Sequence, residues 1–383
     1  MNTELEGLFV ERIIFARGSA FRLAELLRAF GTRVLVVTGR NPERHRSILD
    51  RLRSMNLSTE ILRVSGEPSV TSVLEAVEAA REFRPEVILG LGGGSALDTA
   101  KAIAGLLANP GDPFEYLEVV GKGKPLPNRA LPWVAAPTTA GSGAEVTRNA
   151  VLTAPEQRVK VSLRSSQLLA RAVVVDPELT LTNSPETTAW SGMDALSQVL
   201  EPFVSRRRNP LSDGLCREAF PRAAWALSRA FHRGDDITAR EAMSLVSLFG
   251  GLALTNAGLG AVHGIAGPLG GMVDAPHGAL CARLLPPVCR RNLERLREQG
   301  DAESLERYDE AARLLTGSAG ADRLVNWLEE RNREFGVPPL SAWGLDDKMV
   351  ETLTAAALRA SSMRANPTPL APEDVREIII EAL

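Results

Sequence analysis

The chain has 383 residues, of which 44% are hydrophobic, and a formal net charge of −3. This length and hydrophobic content predict a globular protein of about two to three domains with a buried core. The basic run Arg206–Arg208 is too brief to indicate a nucleic-acid-binding face, and no 18 uncharged apolar residues follow one another as in a membrane span.

Two further features bear on the cellular compartment. The N-terminal segment 1–7 is acidic and lacks the apolar core of a secretion signal. The cysteines have no spacing typical of a metal site, and we interpret all three as reduced, buried thiols: Cys216, Cys281 and Cys289. We therefore expect a cytoplasmic protein.

Short β-type segments alternate with helical patterns along the first half of the chain. Strands are predicted at residues 12–15, 33–38, 59–64, 87–91, 133–136 and 172–175. Helices are predicted at 21–30, 43–55 and 69–83 and after the glycines that follow residue 91, and a hairpin is predicted around 151–161. This alternation predicts a parallel α/β sheet, whose ligands bind beyond the carboxyl ends of the strands.

Three consecutive glycines follow the fourth predicted strand: Gly92, Gly93 and Gly94. Ser95 is placed to cap the next helix, and Asp98 lies three residues on, which is the spacing of a capping box. Such a turn directs N–H groups and a positive dipole end at a ligand, so we predict a phosphate or pyrophosphate site. The alternative is a tight strand–helix connection that binds nothing.

A second loop, residues 137–147, follows the strand at 133–136 and concentrates hydroxyl groups and small residues. Its hydroxyl residues suit hydrogen bonds to phosphate or ribose oxygens. They are Thr138, Thr139, Ser142 and Thr147. The alternative is an ordinary polar loop.

Helical patterns dominate after residues 183–185, and β-branched runs nearly vanish. Several prolines are expected to interrupt these helices: Pro202, Pro210, Pro268, Pro276, Pro286 and Pro287. We therefore predict an α/β dinucleotide-binding domain over residues 1–184 and an all-helical domain over residues 185–383.

The helical part contains a candidate metal site. His263 and His277 both lie in glycine-rich surroundings, while Asp194 and Gln198 are four residues apart on one face of an apolar helix. A carboxylate and two imidazoles can bind a divalent metal, with an amide oxygen as a fourth ligand. The alternative is that Asp194 bonds locally and that both histidines are core residues with hydrogen-bond partners.

Taken in order, these motifs resemble the iron-containing alcohol dehydrogenase family, within the dehydroquinate-synthase-like fold. The resemblance is carried by residues 12–18, 92–101, 138–147, 176–180, 192–196 and 256–263. It implies an enzyme that interconverts alcohols with aldehydes or ketones, using NAD(P) bound over the three glycines and a divalent ion (Fe²⁺ or Zn²⁺) in the helical domain. It also implies a homodimer, in agreement with an apolar edge strand at residues 12–15 that another copy could cover.

The resemblance assigns roles to individual residues. Asp194, His263 and His277 take the positions of family metal ligands and are expected to support the reaction, while Gln198 stands where the family has a ligating histidine. Gly267 stands where many members carry a histidine that relays a proton. The expected cofactor-binding residues are Gly39, Arg40, Gly93, Gly94, Ser95, Asp98, Thr138, Thr139, Ser142, Thr147 and Lys160.

The loop after the second predicted strand bears on cofactor choice. Thr38, Gly39 and Arg40 offer a guanidinium and no carboxylate near the ribose site, which predicts a preference for NADP(H) over NAD(H). We expect a small, neutral alcohol or aldehyde as substrate. Alternatives are an oxidoreductase like maleylacetate reductase or glycerol dehydrogenase, a nucleotide-binding relative without metal or turnover and, less favoured by the ligand spacing, a lyase like dehydroquinate synthase.

Overall fold

A computed structural model describes residues 6–157 and 159–383. The chain divides into an α/β unit, Leu8–Thr139 with Ala144–Leu181, and a helical unit that contains Ala140–Gly143 and Thr182–Leu383. The long segment of the helical unit begins at Thr182, and the domain boundary after residue 184 stays a prediction. Residues 1–5, which the first predicted domain includes, lie outside the described residues.

The α/β unit is built on a six-stranded sheet in which every neighbouring pair is parallel. Its strands, in chain order, are β1 (Ile13–Phe15), β2 (Arg33–Thr38), β3 (Ser58–Arg63), β4 (Val87–Gly92), β5 (Trp133–Pro137) and β8 (Ala172–Val175). The remaining two form an antiparallel hairpin, β6 (Asn149–Ala154) and β7 (Val159–Arg164). The predicted parallel sheet and hairpin are thus confirmed.

The strand order β1-β8-β5-β4-β2-β3 determines where a ligand can bind. From β2 the chain moves outward to β3, then returns to β4 on the other side of β2 and continues to β5. Ligands of open α/β sheets bind where the strand order reverses, outside the carboxyl ends of the strands. In this sheet that position lies between Thr38 and Leu91, which pair at the ends of β2 and β4.

Helices cover the sheet because their apolar faces pack on strands that are buried on both sides. These helices are α1 (Leu23–Arg28), α2 (Arg46–Ser54), α3 (Val70–Phe83) and α4 (Gly94–Ala108). Leu23 and Leu27 of α1, for example, belong to the same buried cluster as Val34 and Val36 of β2. The first predicted helical turns of α1 and α2 form 3₁₀ helices at Ser19–Arg22 and Pro42–His45.

The helical unit matches the all-helical domain predicted for the second half of the chain. Its helices are α5 (Pro185–Val204), α6 (Pro210–His232), α7 (Ile237–Ala257), α8 (Ala261–Met272), α9 (His277–Gln299), α10 (Ala302–Thr316), α11 (Ala321–Glu334), α12 (Asp347–Arg359) and α13 (Pro372–Ala382). One apolar cluster runs through this bundle, with contributions from Leu196, Phe220, Leu284 and Leu328.

The prediction that prolines interrupt the helices is wrong at four positions. Pro202, Pro268 and the pair Pro286–Pro287 lie inside α5, α8 and α9. A proline in a helix interior costs about 3 kcal/mol, because it removes a hydrogen bond and crowds the preceding turn. At Pro286–Pro287 the surrounding segment is buried, so tertiary packing outweighs this local cost. Of the six prolines in the prediction, Pro210 and Pro276 mark helix beginnings.

One described helix, α7, is long and apolar enough to cross a membrane when judged by length and composition alone. Within the structure, 67% of its most apolar window is buried. Buried contacts in the bundle, chiefly with α5 and α6, therefore account for its apolar character.

Candidate cofactor and metal sites

The glycine turn opens α4 without a side-chain cap. The helix begins at Gly94, and its cap residue Gly93 makes no side-chain hydrogen bond. The predicted capping box is therefore wrong, because Ser95 already lies inside the first turn, where its carbonyl accepts from the Thr99 hydroxyl at 2.8 Å. Uncapped N–H groups at a helix N-terminus are suited to an anionic ligand.

Close packing at the turn explains its glycines. A Cβ atom at Gly92 would lie 2.6 Å from the Ala96 Cβ, and one at Gly93 would lie 3.3 Å from the Thr139 side chain. Across the switch point, the space around the Cβ position of Gly39 is open to at least 4 Å. Gly92 and Gly93 thus serve packing within the α/β unit, while the open space beside Gly39 and the uncapped start of α4 fit the pyrophosphate of a dinucleotide.

Other predicted cofactor residues lie at the same edge of the sheet. The Thr138 N–H donates to the Gly92 carbonyl at 3.0 Å, which ties the loop after β5 to the glycine turn. Arg40 is exposed, and its Nε donates to the Ser65 hydroxyl at 2.7 Å. Lys160 forms an ion pair with Glu67 at 2.7 Å. Ser142, by contrast, belongs to the segment that groups with the helical unit.

Two more of these candidates take part in a network around Lys101, which is fully buried. Its Nζ donates to Asp98 at 3.2 Å, to the Thr147 hydroxyl at 2.9 Å and to the carbonyls of Ala144 at 2.8 Å and Asn149 at 2.5 Å. The second oxygen of Asp98 accepts from a backbone N–H of β6 at 3.1 Å. Asp98 and Thr147 therefore hold α4 to the hairpin.

The Lys101 network also carries a buried acid with a shifted pKa. Burial raises the pKa of Glu145 to about 7, against the opposing effects of a backbone hydrogen bond and the Lys101 charge. Burial likewise lowers the pKa of Lys101.

In the helical unit, α5 presents three buried polar side chains on one face. Asp194, Gln198 and Glu201 are spaced by four and three residues, which places them above one another on the helix. The sequence interpretation identified Asp194 and Gln198 and missed Glu201. The position of Glu201, two helical turns from Asp194 on the same face, was the sequence signal that could have identified it.

Glu201 orients His263 and caps α8 at the same time. One carboxylate oxygen accepts from the Val262 N–H at 2.7 Å, and the other lies 2.6 Å from His263 Nδ1. Because an ionised carboxylate can only accept, Nδ1 carries the hydrogen and Nε2 is directed at Asp194, 3.3 Å away. A Cβ at Gly260 would lie 2.9 Å from the Glu201 carboxylate, so a larger residue there would displace that side chain.

His277 and Cys281 enter the same site from α9. His277 is the first residue of this helix, and Cys281 follows one turn later. The Cys281 Sγ lies 3.5 Å from His277 Nε2 and 3.8 Å from His263 Nε2. With Asp194 and His263, these two residues offer four ligand atoms within 4.8 Å of one another. The interpretation of Cys281 as a thiol without metal-type spacing overlooked its i+4 relation to His277.

The charges of the site stabilise an anionic Asp194. Burial opposes its ionisation, but the nearby His263 ring, 3.3 Å away, and the charges of both histidines outweigh burial and lower its pKa to about 2. Burial likewise disfavours the charged form of His263, yet Cys281, Glu201 and Asp194 raise its pKa well above the usual value. A carboxylate, two imidazoles and a thiol are donors that fit a divalent transition metal.

Gln198 adjoins this cluster. Its amide donates a hydrogen bond to Asp194. Its buried Oε1 has no hydrogen-bond partner among the described residues. A buried amide oxygen without a partner is costly unless a ligand or water satisfies it, which also fits a site that binds something.

Comparison with known proteins decides the family. Residues 11–177 match the family model described as iron-containing alcohol dehydrogenase, and residues 188–383 match the one described as Fe-containing alcohol dehydrogenase family, C-terminal. The chain belongs to this family. The resemblance noted from the sequence motifs is thereby confirmed.

Individual relatives cover nearly the whole chain. It is 31% identical over 376 residues to an NAD-dependent methanol dehydrogenase from Bacillus methanolicus, with 97% of each protein covered. It is 28% identical over 381 residues to an NADPH-dependent butanol dehydrogenase from Clostridium saccharobutylicum, covering 96% of this chain and 95% of the relative. A solved 1,3-propanediol oxidoreductase superposes with a TM-score of 0.91 at 29% identity, covering 99% of this chain and 100% of that one.

Proposed function

We propose that this protein is an NAD(P)-dependent alcohol dehydrogenase or aldehyde reductase that acts on a small, neutral alcohol or aldehyde with help from a divalent metal. The observation that carries this proposal is the convergence of Asp194, His263 and His277 in a family of alcohol dehydrogenases. The uncapped glycine turn at the start of α4 supports the nucleotide part of the proposal.

The residues of this chain would hold both groups. A bound divalent ion would supply Lewis acidity that polarises a carbonyl oxygen, and a bound nicotinamide would supply or accept the hydride. Asp194 brings a negative charge to the donor cluster, and Glu201 keeps Nε2 of His263 directed into it. The open space beside Gly39 and the uncapped N–H groups at the start of α4 would let the cofactor phosphates approach the backbone at the switch point. For Gln198, the sequence prediction of a ligating amide oxygen remains to be tested.

Turnover with and without metal tests this proposal. Protein loaded with Fe²⁺ or Zn²⁺ should reduce short aldehydes with NADPH, and exhaustive chelation should abolish the activity. Full activity without detectable metal would contradict the metal-assisted reaction, while tight NADPH binding without turnover would indicate a nucleotide-binding relative. Activity confined to dicarboxylates or to polyols would favour the alternatives like maleylacetate reductase or glycerol dehydrogenase.

We propose further that NADP(H) is preferred over NAD(H). An NAD-dependent and an NADPH-dependent enzyme both occur among the relatives, so the argument for the preference rests on residues of this chain. Arg40 lies at the carboxyl end of β2, where a guanidinium can pair with the ribose 2′-phosphate. Gly39→Asp should shift the ratio of kcat/KM for NADPH and NADH toward NADH by about tenfold, through repulsion of that phosphate. Asn41→Asp adds the same charge two residues on and should change the ratio less. A wild-type enzyme that uses NADH equally well would contradict the preference.

A homodimer and a cytoplasmic location complete the proposal. β1 lies at one edge of the sheet, and its Ile13 is 37% exposed, so a second copy could cover this edge. The three cysteines are free and buried, as is usual in a reducing compartment. Light scattering should give about twice the 41.2 kDa chain mass. A monomer mass at micromolar concentration would contradict the dimer.

A further inference from the structure

We propose that Cys281 binds the divalent metal as a thiolate and completes a four-donor set with Asp194, His263 and His277. Gln198 then positions Asp194 and is not itself a ligand. This inference rests on the proposed function, because it concerns the metal that the function requires. It concerns this chain in particular, since Gln198 stands where the family resemblance implies a histidine.

Three of the distances between the donor atoms match the edges of a tetrahedral site, and all four atoms lie within 4.8 Å of one another. With bonds of about 2.3 Å to sulfur and about 2.0–2.1 Å to nitrogen or oxygen, a tetrahedral ion separates sulfur from nitrogen by about 3.6 Å and nitrogen from oxygen by about 3.4 Å. Sγ of Cys281 lies 3.5 and 3.8 Å from the Nε2 atoms of His277 and His263. His263 Nε2 lies 3.3 Å from the Asp194 carboxylate.

The position of Cys281 on α9 follows from the packing of that helix. A Cβ at Gly278 would lie 2.4 Å from the Trp190 carbonyl, so glycine is required for α9 to begin this close to α5. His277 and Cys281, one turn apart, then present their donor atoms to Asp194 on α5. Cys289, two turns further along the same helix, is equally buried and has no place in the donor cluster.

Gln198 acts on the Asp194 side chain and not on the metal. Its amide N–H group donates to the Asp194 carboxylate, and its Oε1 lies near the backbone of Gly143, 3.3 Å from that residue's Cβ position. Hydrogen bonds to a ligating carboxylate fix its orientation toward the metal. Gln198 is therefore a positioning residue.

A thiolate changes the chemistry of the metal site. On binding, the S–H bond breaks, a metal–sulfur bond forms and one proton leaves for solvent. One carboxylate and one thiolate then balance the two positive charges of the ion, whereas a carboxylate with three neutral imidazoles leaves one positive charge. Because thiolate is a soft donor, the site should retain Zn²⁺ in preference to Fe²⁺ when both are supplied in equal amounts.

Cobalt substitution provides a direct test. Titration of metal-free wild-type protein with Co²⁺ should produce visible d–d absorption and a near-ultraviolet sulfur-to-cobalt charge-transfer band. Both should saturate at one equivalent of Co²⁺. Cys281→Ser should lose the charge-transfer band and bind Co²⁺ at least 100-fold more weakly, since even an outer partner of a ligand is worth roughly 10- to 100-fold. The matched control Cys289→Ser should behave as wild type, and Gln198→Ala should keep the band.

X-ray absorption of zinc-loaded wild-type protein is a second test, and it does not depend on the folding of any variant. It should show one sulfur neighbour at about 2.3 Å. Cobalt bound without a charge-transfer band, a band that persists in Cys281→Ser, or zinc without a sulfur neighbour would each overturn the role of Cys281 and leave the other three donors in place. Wild-type protein that binds neither Co²⁺ nor Zn²⁺ would instead refute the metal in the proposed function.

Discussion

Each unit of the protein buries a cluster of charged groups, and the two clusters are bonded differently. In the α/β unit, Lys101 is surrounded by acceptors, with two backbone carbonyls, a hydroxyl and the Asp98 carboxylate all within 3.2 Å. In the helical unit, the donor atoms of Asp194, His263 and Cys281 face one another, and the nearby Gln198 Oε1 has no partner among the described residues.

This difference separates a structural cluster from a functional one. A buried charge is tolerated when hydrogen bonds satisfy it, so the Lys101 network joins α4 to the hairpin without needing a ligand. The donor atoms of Asp194, His263, His277 and Cys281 lie within 4.8 Å of one another, an arrangement that suits a bound cation. Changes in the first cluster should therefore affect stability, and changes in the second should affect metal binding and activity.

The largest effect is expected for Lys101→Met. The variant leaves Asp98 and Glu145 buried without their cation, which should lower the free energy of unfolding by about 3–5 kcal/mol. Calorimetry and urea titration would measure the loss, and metal content should stay at the wild-type value. Lys122→Met, which removes an exposed lysine paired with Glu115, is the control and should change stability by less than about 1 kcal/mol. Equal losses in both variants would contradict a structural role for Lys101.

His277→Ala should instead leave the fold stable and abolish the reaction. Loss of one donor weakens metal binding, and Lewis-acid catalysis is worth several kcal/mol, or roughly two or more orders of magnitude in rate. NADPH affinity should hardly change, because the predicted cofactor turn belongs to the α/β unit. The control His232→Ala removes an exposed histidine that contacts Glu334, and it should keep full activity. Retained turnover in His277→Ala would contradict the metal assignment.

Glu145→Gln tests the structural cluster through pH. Below about pH 4.5 the acid is protonated in both folded and unfolded chains, so its burial costs nothing from ionisation. As pH rises to about 7, the unfolded chain ionises first and the wild-type protein loses stability. The variant should therefore be more stable than wild type at pH 8, by at most about 3 kcal/mol, and nearly equal at pH 4.5. The exposed Glu75→Gln should show no such divergence, and parallel pH profiles for Glu145→Gln and wild type would refute this account.

Glu201→Gln tests whether the carboxylate behind His263 contributes to metal affinity. Glutamine keeps the side-chain shape but loses the charge that the His263 Nδ1–H faces. Metal affinity, measured by competition with a chelator, should fall roughly 10- to 100-fold. The exposed Glu298→Gln on α9 should leave the affinity unchanged. An unchanged affinity in Glu201→Gln would mean that Glu201 only caps α8.

Much of the α/β unit was predictable because its signals are local. The predicted strand at 33–38 has the observed bounds of β2, since a strand buried on both faces is a continuous apolar run. The three glycines also marked the turn before α4. The helix start was misplaced because capping depends on which glycine adopts the first helical conformation, and the spacing of Ser95 and Asp98 does not determine that.

The fold class and the glycine turn could be predicted from the sequence, because each depends on a short pattern of residues, whereas three of the proposed metal donors were predicted through the family resemblance. The tertiary structure was needed to show that Cys281 lies beside Nε2 of His263 and that Glu201 contacts the other ring nitrogen, Nδ1. These side chains come from three helices, α5, α8 and α9, which are separated along the chain and brought together by packing of the bundle. A thiol that reads as an ordinary buried cysteine becomes a candidate ligand only when that packing directs its lone pairs toward the same point as two imidazoles and a carboxylate.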